Sequence, residues 1–156
     1  MDRLGRVLRS PHRLHLLVTA LVAVARARLA LILRQMPRLR AGIDAERAQA
    51  ATATGTLSPL HDLREIAWSV TAAARLVPGA TCLTQALAGD WLLAKRGRGG
   101  EIRLSLPVDT GEGFRPHAWL LSDGVIVLGG SSEDYARHRA FEPAANTPSR
   151  LQSARE

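Results

Sequence analysis

"TCLTQALAGDWLLAKRG", residues 81–97, is followed after Arg98-Gly99-Gly100 by "EIRLSLPV", residues 101–108. The join between these stretches decides the fold. In the first, Leu83, Ala86, Leu87, Leu93 and Ala94 recur at helical spacing. Lys95 and Arg96 fall in its last turn, where cations complement the helix dipole, and Gly97 supplies the stop. In the second, Ile102, Leu104 and Leu106 alternate with Arg103 and Ser105, the mark of a strand with one wet face. The hydrophobic period switches here from that of a helix to that of a strand.

Everything upstream reads as helix. "LHLLVTALVAVARARLALIL", residues 14–33, is an amphipathic pattern with Leu14, Leu17, Val18, Leu21, Val24, Ala25, Leu29 and Ile32 on one face. That face is expected to pack on the domain; its sharper role is a docking surface for a partner or an anionic membrane. Arg26 and Arg28 inside the span argue against both a signal peptide and a transmembrane helix. Pro37 is expected to end this helix. A short helix near residues 43–50 and a connection follow, with Gly42 and Gly55 as breaks. "SPLHDLREIAWSVTAAARLVPG" is the clearest helix, with Ser58 as N-cap, Pro59 in the first turn and Pro78-Gly79 as the stop. Its apolar face is Leu63, Ile66, Ala67, Val70, Ala73, Ala74 and Val77.

Everything downstream reads as strand and turn. "HAWLL" and "VIVLGG" flank Ser122-Asp123-Gly124, and Asp-Gly between apolar runs signals a hairpin. From Phe141 onward the sequence looks irregular. Helices followed by an antiparallel sheet make an α+β fold. The expected organisation is a basic helical N-terminal region over residues 1–57, one compact domain over 58–141 and a tail over 142–156.

The charge is local. The chain carries a formal net charge of +7. Residues 1–47 hold ten Arg against Asp2, Asp44 and Glu46, while residues 48–156 hold eleven basic and eleven acidic residues. A nucleic-acid surface spread over the domain is therefore not expected. The single cysteine excludes an internal disulfide framework and a multi-cysteine zinc site, and suits a reducing compartment.

Cys82 stands at the expected start of a helix. Free backbone N–H groups there stabilise a thiolate and can hold the oxyanion of a tetrahedral intermediate. On its own the residue is more often a buried apolar thiol. His117, at the start of the "HAWLL" strand, changes the weighting, because a thiol nucleophile needs a base within hydrogen-bond reach. Trp119 shares its strand face, with core packing as the better reading; Trp68 and Trp91 also read as packing. Gln85 reads as a solvated helix residue.

At these residues the chain resembles a known family. "PGATCLTQALAGDWLLAKRG" followed by "FRPHAWLL" and "SDGVIVLGG" is similar to the B2 leader-peptidase family of lasso-peptide biosynthesis, over roughly residues 60–135. The resemblance implies a transglutaminase-like, papain-related cysteine protease fold, with residues 58–141 as the catalytic domain. It implies removal of a leader peptide from a ribosomally made precursor, with Cys82 as nucleophile and His117 as general base and acid. It also implies a cytoplasmic enzyme without metal or cofactor, served by a separate leader-recognition (B1) protein and working ahead of a lasso cyclase. The basic N-terminal helix is a candidate docking face for that partner or for an acidic leader.

The family's third residue is an Asp about twelve residues past the His; here that place is Gly129, followed by Gly130. With a simple two-residue turn His117 would lie opposite Gly130. Asp123, the nearest acid after the His, is the candidate third member. Its turn role competes with that assignment. Glu133, Asp134, Ser131 and a dyad whose ring is oriented by backbone stay open. Two rivals follow: an acyltransferase using the same Cys–His pair, and a non-catalytic binding module of the same fold.

Overall fold

The computed structural model describes residues 10–50, 59–107 and 116–140. Four helices come first: α1 (Pro11–Ile32), α2 (Met36–Ala50), α3 (Pro59–Ala74) and α4 (Cys82–Ala94). Then come β1 (Glu101–Pro107), β2 (His117–Ser122), β3 (Val125–Leu128), the short α5 (Ser132–Ala136) and β4 (His138–Ala140). The strands form one antiparallel sheet in the order β3-β2-β1-β4. Helices followed by an antiparallel sheet is the α+β arrangement expected from the change of period.

α4 is the axis of the molecule. It is buried on nearly every side, from Thr84 and Ala86 through Leu92, Leu93 and Ala94, and contacts α1, α2, α3 and three strands. Its approach to the sheet depends on Gly89. A Cβ there would lie 2.5 Å from Leu120 Cδ2 and 2.6 Å from Leu128 Cδ1, so a side chain would displace these two leucines from the helix–sheet contact. One cluster joins Ala20, Ala23 and Val24 of α1, Ile66 and Val70 of α3, Leu87 and Leu93 of α4, and Leu120 and Leu128 of the sheet. The N-terminal helix thus shares its core with the rest of the chain. The N-cap expected at Ser58 and the break at Gly55 lie outside the described residues.

Four local expectations change. α1 ends at Ile32 with Arg34 in the left-handed region (φ 55°), and Pro37 lies in the first turn of α2, where its missing N–H costs nothing. Gly42 does not break α2; it sits inside that helix with nothing within 4 Å of where a Cβ would be. α1 is also rotated from the expected face, of which Val24 is buried and Leu17 and Leu21 pack partly on the core. Leu16, Ala20, Ala23, Val24 and Ala27 are buried, whereas Leu14, Val18, Leu29 and Ile32 are exposed. Small residues let α1 lie close on α3 and α4, and this close packing overrides the preference for burying the larger side chains. In β1, Leu104 is exposed and Ser105 is buried, the reverse of the expected alternation, because Ser105 accepts an indole hydrogen bond from β2.

Candidate active site

The N-terminus of α4 presents Cys82. Thr81 is the N-cap: its Oγ1 accepts from Thr84 N–H (3.4 Å), and Thr84 Oγ1 accepts from Thr81 N–H (3.2 Å). This reciprocal cap uses the Thr84 amide. The amides of Cys82 and Leu83 remain in the first turn, where a helix offers them no internal acceptor. Cys82 itself is half-buried and packs on the hydrophobic core.

Three observations place His117 relative to Cys82. At the far end of α4, Ser122 donates to Gly99 O (2.8 Å) and Arg98 Nη1 lies 3.7 Å from Asp123 Oδ2. Midway, Gly89 meets Leu120. α4 and β2 therefore run the same way across each other, and their starts lie at the same end of the molecule. Cys82 is about 10 Å up the helix from Gly89, and His117 is about 10 Å up the strand from Leu120. Among the described residues the thiol and the imidazole form no hydrogen bond with each other. Catalytic pairs commonly close only when substrate is bound.

The imidazole is held from behind. His117 Nε2 lies 2.6 Å from Gly129 O. A carbonyl only accepts, so Nε2 carries a proton, and in the neutral ring Nδ1 keeps the lone pair. A β-bulge creates this bond. Ser122 pairs with Val125 and Leu121 with Ile126 as a two-residue turn requires, but Leu120 then pairs with Leu128, skipping Val127. Asp123 (φ 50°) and Gly124 (φ 77°) form that turn in the left-handed conformations the hairpin needs. The shift means that His117 no longer faces Gly130. Gly129 has φ 119°, and a Cβ on it would lie 2.7 Å from the Trp119 ring. No aspartate fits at this position; the backbone carbonyl stands where the acid was expected.

Around the ring is a layer the sequence did not reveal. Trp119, 1 % exposed, packs edge-on against His117 with centroids 4.6 Å apart. Its Nε1–H donates to Ser105 Oγ (2.7 Å), and Ser105 Oγ is 3.0 Å from His138 Nδ1. His138 is 5.6 Å from His117, and Tyr135 closes on Trp119 at 5.1 Å. Tyr135 is fixed in turn by Arg103, whose Nη1 donates to its hydroxyl (2.8 Å). Trp119 therefore packs as expected. Trp68 does not: it is 38 % exposed beneath the Arg13 guanidinium. Gln85 is half-buried.

Asp123, the candidate third member, lies at the other end of β2 from His117. It is turned outward, with its side chain 79 % exposed and Arg98 as its ion partner. The length of β2 lies between it and the imidazole. Asp134 is used elsewhere: its carboxylate accepts from Ser131 N–H (3.0 Å) and Oγ (2.7 Å), bonds that hold its carboxyl below the usual range. Among the described residues, His61, Asp62 and Glu65 form the one group with metal-ligand spacing. Its carboxylates already face Arg98 (3.8 Å) and Arg96 (3.9 Å), so the positive charge is supplied by guanidinium.

No curated protein and no solved structure matches this sequence. A family profile matches residues 14–145, which takes in α1 as well as the sheet. By that match the chain belongs to the transglutaminase-like superfamily, which includes cysteine proteases and acyltransferases.

Proposed function

We propose that this chain is a cysteine peptidase that cuts the leader from a ribosomally made, lasso-type precursor. The observation that carries the chemistry is the bond from His117 Nε2–H to Gly129 O, which leaves Nδ1 as a base. Nδ1 takes the proton of the Cys82 thiol, and the thiolate adds to the scissile carbonyl carbon. The carbonyl π electrons move to oxygen, and the first-turn amides of α4 can receive that charge. Collapse of the intermediate breaks the C–N bond. The leaving amine takes the proton from His117, and a thioester remains on Cys82. Water attacks the thioester, gives a proton to His117 and releases the leader carboxylate and the thiol. The Gly129 carbonyl keeps the tautomer and the ring plane fixed; as a neutral dipole it supplies less charge stabilisation than a carboxylate.

The leader-peptidase assignment rests on the Cys82-Leu83, Ala86-Leu87 and His117-Ala118-Trp119 pattern. With it go a separate B1 recognition protein, a downstream lasso cyclase and a cytoplasmic setting, to which the lone thiol is suited. The test is cleavage of a lasso-type precursor by the purified protein with its recognition partner. Cys82→Ala is expected to lower the rate by at least about 10³-fold. Undiminished cleavage by this variant removes the nucleophile assignment. Products heavier by an acceptor amine, rather than by water, identify an acyltransferase.

A further inference from the structure

The outer side of α1 is an aliphatic stripe that none of the described residues buries. Leu14, Val18, Val22, Ala25, Leu29 and Ile32 all face solvent, and the five larger ones range from 39 % (Leu14) to 59 % (Ile32) exposed. At 100° per residue they share an arc of about 80°, and the stripe is about 27 Å long. No acidic residue occurs anywhere between Asp2 and Asp44, a span that carries nine Arg. At the stripe's C-terminal end a groove of about 190 Å³ opens between α1 and α2, lined by Arg26, Leu29, Ala30, Gln35, Arg38 and Leu39.

We infer that this face docks the protein on an anionic lipid bilayer, with α1 lying in the plane of the interface. Three features select lipid over the other occupants. The stripe holds no polar group that would fix an orientation on a folded partner. The arginine surplus is matched by anionic headgroups, and guanidinium groups beside an apolar face suit the headgroup boundary. A second copy would set the same uncompensated cations against each other. α1 is long and apolar enough to cross a membrane, but Ala20, Ala23, Val24 and Ala27 are committed to the core, so lipid can reach only the outer face. The consequence is a peptidase held at a membrane surface by a helix that also builds its core.

The test is flotation of the full chain with vesicles of phosphatidylethanolamine and phosphatidylglycerol, and with vesicles of phosphatidylcholine alone. The expected result is binding to the anionic vesicles, weakened by salt, and little to the neutral ones. The triple variant Val18→Glu, Val22→Glu, Leu29→Glu changes only exposed positions and is expected to weaken binding by at least about tenfold. Leu29→Trp supplies an independent readout, with a blue-shifted emission expected on adding anionic vesicles. Absence of that shift overturns the inference, as does flotation of the triple variant equal to that of the parent. A dimer in solution that the triple variant breaks, without vesicle binding, also overturns it and assigns the stripe to a second copy.

Discussion

The two ends of the α4–β2 crossing are built from different interactions. At the Cys82–His117 end the contacts are neutral hydrogen bonds and ring edges: imidazole to carbonyl, indole to hydroxyl, hydroxyl to imidazole. At the Asp123 end they are ion pairs. Arg98 lies between Asp62 and Asp123, and Arg47 reaches Asp90 (2.8 Å), Asp44 (3.0 Å) and the carbonyl of Arg98 (3.4 Å). Neutral hydrogen bonds fix a ring without committing its charge, which a proton-transferring group requires. Arginine clamps hold elements together and tolerate water. The difference is the one expected if the proposed chemistry belongs to one end and cohesion to the other.

The sharpest test of that division is His117→Ala. It removes the base and is expected to reduce cleavage by about 10²- to 10⁴-fold while the protein stays folded. Next in effect is Gly129→Ala. The φ of 119° and the 2.7 Å approach to Trp119 leave no room for a methyl group. A loss of about 2 kcal/mol of stability is expected by denaturant titration. Cleavage should fall as well, because the carbonyl that holds the imidazole moves with the strain. A glycine replaced without cost would mean that the bulge does not constrain this end.

Trp119→Phe probes the layer behind the ring. It keeps most of the packing but deprives Ser105 Oγ of its 2.7 Å donor. The expected cost is about 1 kcal/mol, because the buried hydroxyl loses its indole donor and keeps only His138 Nδ1 (3.0 Å). Asp90→Asn probes the other end. Burial raises the Asp90 carboxyl, and the opposing pull of Arg47 does not fully offset it. A raised carboxyl binds its proton more tightly when folded. Its contribution to stability is therefore full below the ordinary value of 3.8 and is lost as pH rises through the folded value. The Asn variant lacks that slope. Its unfolding midpoint, measured relative to the parent, should rise from acid toward neutral pH; a relative fall would show Arg47 to be the stronger influence.

Much of the frame could be read from the chain because local signals and tertiary needs agree there. Pro59 begins α3, the Asp123-Gly124 turn has the backbone its residues favour, and Cys82 falls at a helix start, although α3 ends at Ala74, ahead of the stop expected at Pro78-Gly79. What could not be read depended on contacts distant in sequence. α1 is apolar on two sides, and periodicity does not say which side is buried; the small residues facing α3 and α4 decided it. The bulge at Val127 moved the β2–β3 register by one residue and set the Gly129 carbonyl against His117, one of several alternatives the sequence had left open. Ser105 and His138 meet only because β4 pairs with β1 across a separation of 33 residues. A buried serine in a short alternating strand gave no sign of that role.

Asp123→Asn should have the smallest effect, and for that reason separates the two ends most cleanly. The carboxylate is 79 % exposed and its Arg98 partner lies at 3.7 Å, the setting in which an ion pair contributes little. Residue 123 has φ 50°, a conformation that Asn tolerates as well as Asp does, so the turn itself should survive the change. Stability should stay within about 0.5 kcal/mol of the parent. Cleavage should change by less than about twofold, since the length of β2 separates this position from the imidazole. Were Asp123 the residue that orients His117, the same substitution would cost of the order of 10²-fold or more in rate, as loss of a triad carboxylate does. The rate of this one variant thus decides whether His117 is held by the first carboxylate after it in sequence or by the Gly129 carbonyl.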